Sequence, residues 1–339
     1  MKLLRKRSLN TFTRARRRGI IRLFEALLLI GVLCSLVVFM WGKDRLKISL
    51  EEVLSIGSLD DDDLFMLVGI VADSSKRIYV TDAMDYSIKI FDERGNLVKK
   101  TGRKGRGPGE FLAPRFIDSS EHFLYVSDQN IFGIQVFDKD LTYKNKIPIL
   151  IPVSDFKVIS DSEIAVSTLS MDFTKGRKIF IYNSKGEITR EIEYADKKTP
   201  LMMDTVEIQF DPQGYLYLAY CHQDKIEKIN PEGKKIWSKG LLDIKKVKKK
   251  KVHNFLLPSG FAYKDIALNS KGHVFVLGGS FSKNPSQDVY VLSSEGKLLA
   301  TFTLPDWSHC IYIDGQDYLY SRANEGVTLK KYKVNYINR

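Results

Sequence analysis

One glycine-rich segment of the chain has the composition of a loop that could hold a phosphate group. It reads GRKGRGPGEF and places Gly102, Gly105, Gly107 and Gly109 among two arginines and a lysine. A phosphate-binding loop needs a strand before it and a helix after it, because backbone amides and the helix dipole must meet the anion. Here a strand pattern follows, and the Lys-Ser/Thr ending is absent. We therefore predict a turn between strands, in which the glycines supply positive φ angles and close chain approach.

Basic side chains and one histidine in predicted loops form a second candidate site. They would present a surface to an anionic partner such as an acidic glycan or protein. For the lysine run KKVKKKK, a solvated loop is the alternative interpretation. The predicted binding residues are Arg103, Lys104, Arg106, Arg177, His222, Lys245, Lys246, Lys248, Lys249, Lys250 and Lys251.

The elements that position these residues follow from an internal repeat. The segment YVTDAMDYSIKIFD begins at Tyr79, and YVSDQNIFGIQVFD begins at Tyr125, so the two match at a constant offset of 46 residues. A fixed period of roughly 20–50 residues is the signature of a repeat architecture. The offset pairs Asp82 with Asp128 directly after a strand, and we predict that these aspartates tie the following turn rather than do chemistry.

Each repeat unit contains four short runs rich in Val, Ile, Tyr and Phe, separated by turns rich in Gly, Asn, Asp and Ser. Such runs are strands, and six units of four antiparallel strands make an all-β, six-bladed β-propeller over residues 48–339. The last unit lacks a fourth strand, whereas ISLEEVLSIGS (Ile48–Ser58) is a strand without a unit. We predict that Ile48–Ser58 completes the last blade and closes the ring, because an unpaired edge would invite aggregation.

The segment GRKGRGPGEFLAPRFIDSSEHFLYVSDQNIFGIQVFDKD resembles the NHL repeat, in which a glycine-rich GPGEF-type turn precedes each unit. The match is specific in Val68–Asp140 and loose from Ile147 onward. The whole chain resembles bacterial six-bladed propeller proteins that carry degenerate NHL units. The resemblance therefore implies the same propeller fold as the strand pattern.

Propeller topology assigns each loop to one of two faces. With the strands of a blade lettered A to D from the axis outward, the B–C loops and D–A linkers share one face, and the tight A–B and C–D turns share the other. The first face, called the loop-rich face below, carries the predicted binding residues. Loops held on a rigid scaffold are where function usually lies.

Some propellers related to the NHL repeat are lyases or lactonases with a metal on the central axis. The resemblance thus offers an alternative function, a metal-dependent hydrolase or lyase that holds Ca²⁺ or another divalent metal. Its ligands would converge from the starts of several inner strands, although acids beside a water-filled channel are also ordinary solvation. The candidates at these positions are Asp155, Asp204, Glu207, Asp265 and His309. The histidines fall at unlike repeat positions, which argues against a three-histidine zinc site, and no Ser/His/Asp arrangement is recognisable by spacing.

The N-terminal region has the features of a membrane anchor. Residues 1–18 form a basic tail, residues 19–42 contain the apolar run LFEALLLIGVLCSLVVFMW, and residues 43–47 form a short linker. About 20 apolar residues cross a bilayer, and the preceding positive charge predicts a cytoplasmic N-terminus. A cleaved signal peptide is the alternative, but the apolar run is long for one and no small-x-small site follows it.

The net charge of +12 does not indicate a nucleic-acid partner, because residues 1–42 contribute +8 of it. Two cysteines, Cys221 and Cys310, lie outside the predicted span. They could pair in an oxidising compartment, but small buried thiols are the commoner arrangement.

Taken together, the sequence predicts a single-pass inner-membrane protein with an extracytoplasmic propeller. The propeller would bind a ligand or a protein, or act as a scaffold, through its loop-rich face. A metal-dependent enzyme with a site on the axis is the alternative. Convergence of three or more of the five axial candidates within metal-bonding distance would favour the enzyme.

Overall fold

The computed structural model describes residues 46–58, 60, 63–168, 177–195, 203, 205–244, 249–252 and 255–337. The predicted tail and membrane span, with most of the linker, lie outside these described residues. Within the described part of the chain, no helix is long and apolar enough to cross a membrane. The strands all belong to one unit that extends from Lys47 to Asn338.

The apolar runs recognised in the sequence form the strands. Continuous runs such as IYVTD (Ile78–Asp82) and LYLAY (Leu216–Tyr220) are buried along their whole length. A strand can be buried on both sides only when neighbouring sheets pack against its two faces, which is the arrangement of strands inside a propeller blade. The outermost strands, such as LVKKT (Leu97–Thr101), are largely exposed and correspondingly polar.

The described residues contain twenty-six strands. The chain enters through β1 (Lys47–Ile56), and the first blade follows as β2 (Leu67–Ala72), β3 (Ile78–Asp82), β4 (Ser87–Phe91) and β5 (Leu97–Thr101). The second blade is β6 (Pro114–Ser119), β7 (Phe123–Asp128), β8 (Ile131–Asp138) and β9 (Tyr143–Ile147). The third is β10 (Val153–Ser160), β11 (Glu163–Thr168), β12 (Arg177–Asn183) and β13 (Ile188–Ala195). The fourth is β14 (Val206–Phe210), β15 (Leu216–Tyr220), β16 (Ile226–Ile229) and β17 (Lys235–Lys239).

A hairpin of β18 (Lys249–Val252) and β19 (Phe255–Pro258) precedes the fifth blade, which is β20 (Tyr263–Leu268), β21 (Val274–Gly278), β22 (Asp288–Leu292) and β23 (Leu298–Thr303). The last blade contains β24 (Ile311–Ile313), β25 (Tyr318–Ala323) and β26 (Thr328–Ile337), with a short 3-10 helix, Asn324–Gly326, before β26. In these described residues the strands form six four-stranded sheets and the separate hairpin. The first strands of consecutive blades contact one another in a closed ring.

The ring is closed by the N-terminal strand, as predicted. The last sheet has the order β1-β26-β25-β24, so the strand that enters the fold pairs with the strand that ends it. The two are antiparallel from the pair Lys47 and Ile337 to the pair Ile56 and Leu329. The observed strand begins one residue before the predicted Ile48–Ser58 segment and ends two residues before its end.

A repeated tyrosine in the second strand of four blades holds neighbouring elements together. These tyrosines are almost completely buried, and their hydroxyl groups bond to the turn between the first two strands or to the next blade. The bonded pairs are Tyr79 with Asp73, Tyr125 with the carbonyl of Asp161, Tyr217 with Asp211, and Tyr320 with Asp314. A buried hydroxyl without a partner would cost free energy, so the repeat supplies the acceptor together with the tyrosine.

Part of the lysine run was expected to be a loop and is instead a strand. Lys249, Lys250 and Lys251 lie on β18, which pairs with β19. Their side chains are exposed. The hairpin projects from the linker between the fourth and fifth blades and pairs with no blade among the described residues.

Candidate functional site

The glycine-rich segment is a turn between β5 and β6, as predicted, and not a phosphate-binding loop. A strand follows it, so no helix N-terminus faces an anion there. Gly102 and Gly109 have positive φ angles of 111° and 72°, the conformation that glycine adopts readily. Gly105 and Gly107 do not have positive φ angles but lie against Glu110, which a larger residue would displace. The loop therefore acts as the connection between the first and second blades.

The repeated aspartates Asp82 and Asp128 fix two turns and two linkers. Each accepts hydrogen bonds from the linker that enters its blade and from the B–C turn of that blade. The backbone donors are Phe65, Met66 and Asp85 for Asp82, and Leu112, Ala113 and Asn130 for Asp128, at 2.7–3.3 Å. The prediction that these aspartates tie turns is confirmed, and they also position the linkers of the loop-rich face.

A cavity of about 410 Å³ lies at the centre of the ring. The first strand of every blade lines it, so its side chains form layers around the axis. An upper ring, nearer the loop-rich face, consists of Gly69, Phe116, Asp155, Glu207, Asp265 and Cys310. A lower ring consists of Val71, Asp118, Lys157, Gln209, Ala267 and Tyr312. The upper ring is rich in acids on three consecutive blades.

β-Bulges widen the set of side chains that face the cavity. In a regular strand successive side chains point to opposite sides, yet Arg115 and Phe116 both line the cavity, as do Lys264 and Asp265. The register of β6 against β7, and of β20 against β21, shifts at these residues. A bulge re-aims a side chain, and here it adds two cationic side chains above the upper ring.

Three axial aspartates bind backbone amides rather than a metal. One oxygen of each accepts the amide of the following residue, and the other accepts an amide from the first strand of the next blade. The pairs between blades are Asp118 with Val158 at 2.7 Å, Asp155 with Ile208 at 2.8 Å, and Asp265 with Ile311 at 2.8 Å. These carboxylates therefore link second to third, third to fourth, and fifth to sixth blades.

The axial candidates do not form a metal centre in the part of the chain that the structure describes. No group of three or more His, Cys, Asp or Glu side chains there is arranged to hold a metal ion. Asp155 and Asp265 have their oxygens on amides, and Glu207 accepts a hydrogen bond from the thiol of Cys221 at 3.6 Å. Asp204 lies outside the described residues. The described side chains thus do not fit the metal that the resemblance implied.

His309 has a lysine rather than a metal as its polar partner. Lys264 donates a hydrogen bond to Nδ1 of His309 at 2.9 Å. Burial and, to a smaller extent, the neighbouring charge of Arg322 lower the pKa of Lys264 to about 8. Burial, Lys264 and Arg322 lower the pKa of His309 to about 4, so His309 is neutral at neutral pH.

Two acids of the upper ring, Glu207 and Asp265, hold their protons more tightly than exposed acids, because their pKa values are raised. Burial, followed by the charges of Asp155 and Asp265, raises the pKa of Glu207 well above its usual value. Burial also raises the pKa of Asp265 to about 7, although the ammonium of Lys157 opposes this shift. Burial lowers the pKa of Lys157, but Asp155 and the other axial acids raise it more, so this side chain stays charged at the centre of the acids.

These shifts give the fold a pH dependence that Glu207→Gln tests. Unfolded Asp and Glu release their protons near pH 4, whereas in the folded protein the pKa of Asp265 is raised to about 7 and that of Glu207 is raised well above its usual value. The contribution of these two acids to stability therefore falls as pH rises above 4. The Glu207→Gln variant should be more stable than wild type at pH 7, by roughly 1 kcal/mol or more, and nearly equal to it at pH 4.

Denaturant unfolding at pH 4, 5.5 and 7 measures the difference, with Glu232→Gln as the control. Glu232 is exposed in a turn of the same blade, so its variant should follow wild type at every pH. Equal stability of the Glu207→Gln variant and wild type across the range would contradict the assigned burial of an acid at this position.

The predicted binding residues divide into exposed and buried groups. Arg103 forms an ion pair with Glu110 at 2.8 Å, Lys104 lies over the ring of Tyr86, and Arg106 is exposed. The lysines of β18 are exposed as described above. Lys245, Lys246 and Lys248 lie outside the described residues.

Two of the predicted binding residues are buried rather than exposed. Arg177 is the first residue of β12 rather than part of a loop, and it is 5% exposed. His222 is also 5% exposed: it bonds to the carbonyl of Gly260 at 2.9 Å and packs on Phe261. The linker that enters the fifth blade therefore covers His222, and neither side chain can meet a partner on the surface.

Sequence reasoning missed an apolar surface on the loop-rich face. Fifteen large hydrophobic side chains are exposed in the described residues, and every Phe, Met and Trp among them lies in or beside a B–C loop or D–A linker. These seven side chains, together with Leu150 in the linker between β9 and β10, are called the apolar rim below: Phe65, Met66, Met84, Phe132, Leu150, Phe261, Phe281 and Trp307. The exposed side chains elsewhere are Val, Ile and Leu, mostly on outer strands. Apolar residues in otherwise polar loops were the available signal.

Both cysteines outside the predicted span are free thiols. They line the central cavity from different blades, Cys221 after β15 and Cys310 before β24. Burial raises the pKa of Cys310 to about 12, and it raises that of Cys221 well above the usual value. Both therefore remain protonated and behave as small buried groups.

Comparison with known proteins places this geometry in a wider set of propellers. A family model for DUF5128, described as a 6-bladed β-propeller, matches residues 58–238. A Bacteroides vulgatus structure described as a member of the duf4221 family is 13% identical, covers 87% of this chain and 100% of its own, and has a TM-score of 0.58. A Bacteroides thetaiotaomicron structural genomics protein is 14% identical over 86% of this chain and 77% of its own, with a TM-score of 0.57.

A more distant likeness is the Cps50 (Swd1) β-propeller domain of Myceliophteria thermophila, with 11% identity, coverage of 85% of this chain and 100% of that domain, and a TM-score of 0.51. At these identities the solved structures show a shared fold alone. The search of curated proteins gives no match. The resemblance to NHL units stays a prediction, since the matching model is that of another propeller family.

Proposed function

Because this chain belongs to the DUF5128 family of 6-bladed β-propellers, we propose that it is a protein-binding module whose loop-rich face holds the partner. The apolar rim carries this proposal. Large exposed apolar patches on soluble domains mark interaction sites, and aromatic residues and methionine are enriched in the centres of interfaces. The restriction of exposed Phe, Met and Trp to one face is the arrangement that such a site requires.

The rim is held in place before a partner arrives. Asp82 binds the backbone amides of Phe65 and Met66, both at 2.9 Å, and so fixes two rim residues on the linker between the last and first blades. Asp224 fixes the linker after the fourth blade in the same way, through the amide of Leu241 at 2.7 Å. Loops that are already ordered lose little conformational entropy on binding, which favours affinity.

Charge on the same face indicates the kind of partner. Exposed Arg103, Lys104 and Arg106 lie on the linker between the first two blades, and the lysines of β18 lie on the linker before the fifth. A partner that places acidic side chains around an apolar centre would complement this face. Such charges mainly increase the association rate and make it sensitive to salt.

We also propose that the propeller is tethered outside the cytoplasm. This part rests on the apolar run and basic tail of residues 1–42. The expected partner is an extracytoplasmic protein.

Replacing three rim residues tests the proposal. The triple variant Met84→Ala, Phe132→Ala and Leu150→Ala removes the three most exposed side chains of the rim, which lie in or beside three different loops. A partner captured with the full chain from membranes should be identified, purified and titrated against each variant. The rim variant should bind at least about 100-fold more weakly, because hot-spot residues contribute about 2 kcal/mol or more each.

The matched control is Leu97→Ala, Val98→Ala and Ile236→Ala, which removes exposed side chains of similar size from outer strands. This control should change the dissociation constant less than about twofold, within the scatter of neutral surface changes. Equal weakening by both triple variants, or a partner confined to the cytoplasm, would contradict the proposal.

A further inference from the structure

Three cationic side chains around the mouth of the central cavity lack a carboxylate partner among the described residues. These are Arg115, Lys264 and Arg322, and no ion pair within 4.0 Å is formed by any of them in the described part of the chain. Two buried cations elsewhere among the described residues are paired, as is usual. Lys89 meets Asp82 at 2.9 Å, and Lys331 meets Asp314 at 3.7 Å.

The partners that these three side chains do have leave their charge uncompensated. Lys264 donates to the neutral ring of His309. Arg322 is 8% exposed and donates to the carbonyls of Leu67 at 3.0 Å and Glu325 at 3.1 Å. Carbonyl oxygens satisfy hydrogen bonds but do not cancel a charge, so a buried cation held this way retains a favourable interaction for an anion.

The acids of the upper ring do not form ion pairs with these three cations. Asp265, the residue after Lys264, directs its two oxygens to the amides of Ile266 and Ile311. Glu207 lies within electrostatic reach of Arg115, but the two side chains form no ion pair within 4.0 Å, and burial raises the pKa of Glu207 well above its usual value. The described acids of the upper ring, which lie below the three cations, therefore form no ion pair with them.

The positions of the cations define two poles. Lys264 comes from the fifth blade and Arg322 from the sixth, so they form one pole together with His309. Arg115 comes from the second blade, which faces the fifth across a ring of six. Both side chains line the cavity, and both lie where the register of the first strand shifts. A ligand with an anionic group at each end would meet both poles.

We propose that the cavity binds a small organic dicarboxylate, with one carboxylate at Lys264 and Arg322 and the other at Arg115. Carboxylates match both donors, since guanidinium and ammonium groups form short charge-assisted hydrogen bonds with them. Val68 and Phe116 provide apolar contact for the carbon chain between the two groups. The volume of about 410 Å³ lies in the range of small-molecule sites, about 300–1,000 Å³.

This site is distinct from the protein-binding role of the rim, because its ligand lies below the surface among the inner strands. The same chemistry could come from acidic side chains of a protein partner, so the test includes both sources. Succinate serves as the free dicarboxylate, acetate as the monocarboxylate, inorganic phosphate as a different anion, and the dipeptide Glu-Glu as the peptide source.

Isothermal titration calorimetry on the full chain in a neutral detergent, at constant ionic strength, measures the four probes. Succinate should bind, and it should bind at least about tenfold more tightly than acetate or phosphate, since among these three it alone carries two carboxylates, one for each pole. Lys264→Gln and Arg115→Gln should each weaken succinate binding about tenfold, the effect of losing one hydrogen bond to a charged group.

Lys271→Gln is the matched control. Lys271 is an exposed lysine of the same blade, in the turn at the opposite end of β20, and its variant should bind succinate within about twofold of wild type. Thermal unfolding verifies that each variant is folded; Lys264→Gln removes an uncompensated charge and should not lower the melting temperature. Arg322 is left intact because it joins the last blade to the first.

Four outcomes would overturn the proposal. The first is no succinate binding up to about 100 times the concentration of physiological metabolites, and the second is an affinity for acetate equal to that for succinate. The third is a loss of succinate affinity in the Lys271→Gln variant equal to that in the cavity variants, and the fourth is binding of Glu-Glu without binding of succinate. The last result would assign the mouth to the protein-binding face instead. Loss of succinate binding in both cavity variants with full retention in the control supports the site, whatever the rim variants do.

Discussion

Deletion of β1, residues 47–56, is expected to abolish the cooperative unfolding transition of the propeller. This strand pairs with β26 over its whole length, and Ile56 at its end is 2% exposed in a cluster that joins the last blade to the first. Removing it opens the ring, leaves β26 with an unpaired edge and exposes the cluster. Domains are stable by only about 5–15 kcal/mol, so the loss of a ten-residue strand with its buried end exceeds what the fold can absorb.

Circular dichroism during heating measures the transition, and deletion of residues 249–258 is the control. That segment is also ten residues of paired strand, but it forms the β18–β19 hairpin, which belongs to no blade in the described residues. The control should keep a single transition with a melting temperature within a few degrees of wild type. A β1 deletion that melts as cooperatively and at the same temperature as wild type would show that ring closure does not stabilise the fold.

The closure of the ring was predictable because it follows from counting strands. The C-terminal unit has three apolar runs and the N-terminal segment has one, and only pairing of β1 with β26 gives the last blade its fourth strand. The bulges at Arg115 and Lys264 were not predictable in this way. A bulge depends on how two strands align, and alternation along one strand carries no information about that alignment.

The axial acids show where sequence reasoning about the site was right and where it failed. Asp155, Glu207 and Asp265 were correctly placed at the starts of inner strands, and they do face the axis. Their role was not predictable, because the amides of Ile208 and Ile311 that occupy two of them come from the next blade. Sequence spacing shows which acids approach the axis but not which donors reach them first.

The apolar rim was missed for a related reason. Met84, Phe132 and Trp307 each stand in a separate loop among polar residues, where a single exposed apolar side chain needs no explanation. Only the shared face of the propeller brings them together. For His222 and Arg177 the sequence predicted exposure, whereas the structure shows both side chains buried. A position in or beside a predicted loop does not exclude burial under a neighbouring segment.

The second prediction concerns Asp82→Asn, which should cost about 3–5 kcal/mol of stability, the range for removing one partner of a buried ion pair. Asp82 is fully buried and accepts a hydrogen bond from Lys89 at 2.9 Å, and Lys89 itself is 2% exposed. The repeat supplies the control. The equivalent aspartate of the second blade is Asp128, and the residue that matches Lys89 at the same offset is Gln135.

Asp128→Asn should therefore cost less, about 1–3 kcal/mol, because it removes acceptors for backbone amides without leaving a charge unpaired. Gln135 bonds to the amide of Gly109 and the carbonyl of Glu110, both at 2.8 Å, and so serves the linker without an ion pair. Denaturant unfolding of the two single variants gives the comparison, provided that the slope of the free energy with denaturant is unchanged.

Adding Lys89→Gln to Asp82→Asn separates the charge from the hydrogen bonds. If the cost of Asp82→Asn comes from a stranded ammonium, the double variant should be more stable than the single one, because it recreates the neutral arrangement of the second blade. Lys89 also contacts Asp85 at 3.0 Å and the carbonyl of Asp63 at 2.7 Å. Equal costs for Asp82→Asn and Asp128→Asn, with no rescue by Lys89→Gln, would show that these two contacts already hold the charge. Asp82 would then act only as its counterpart Asp128 does, as the acceptor that positions the linker and turn beneath the rim.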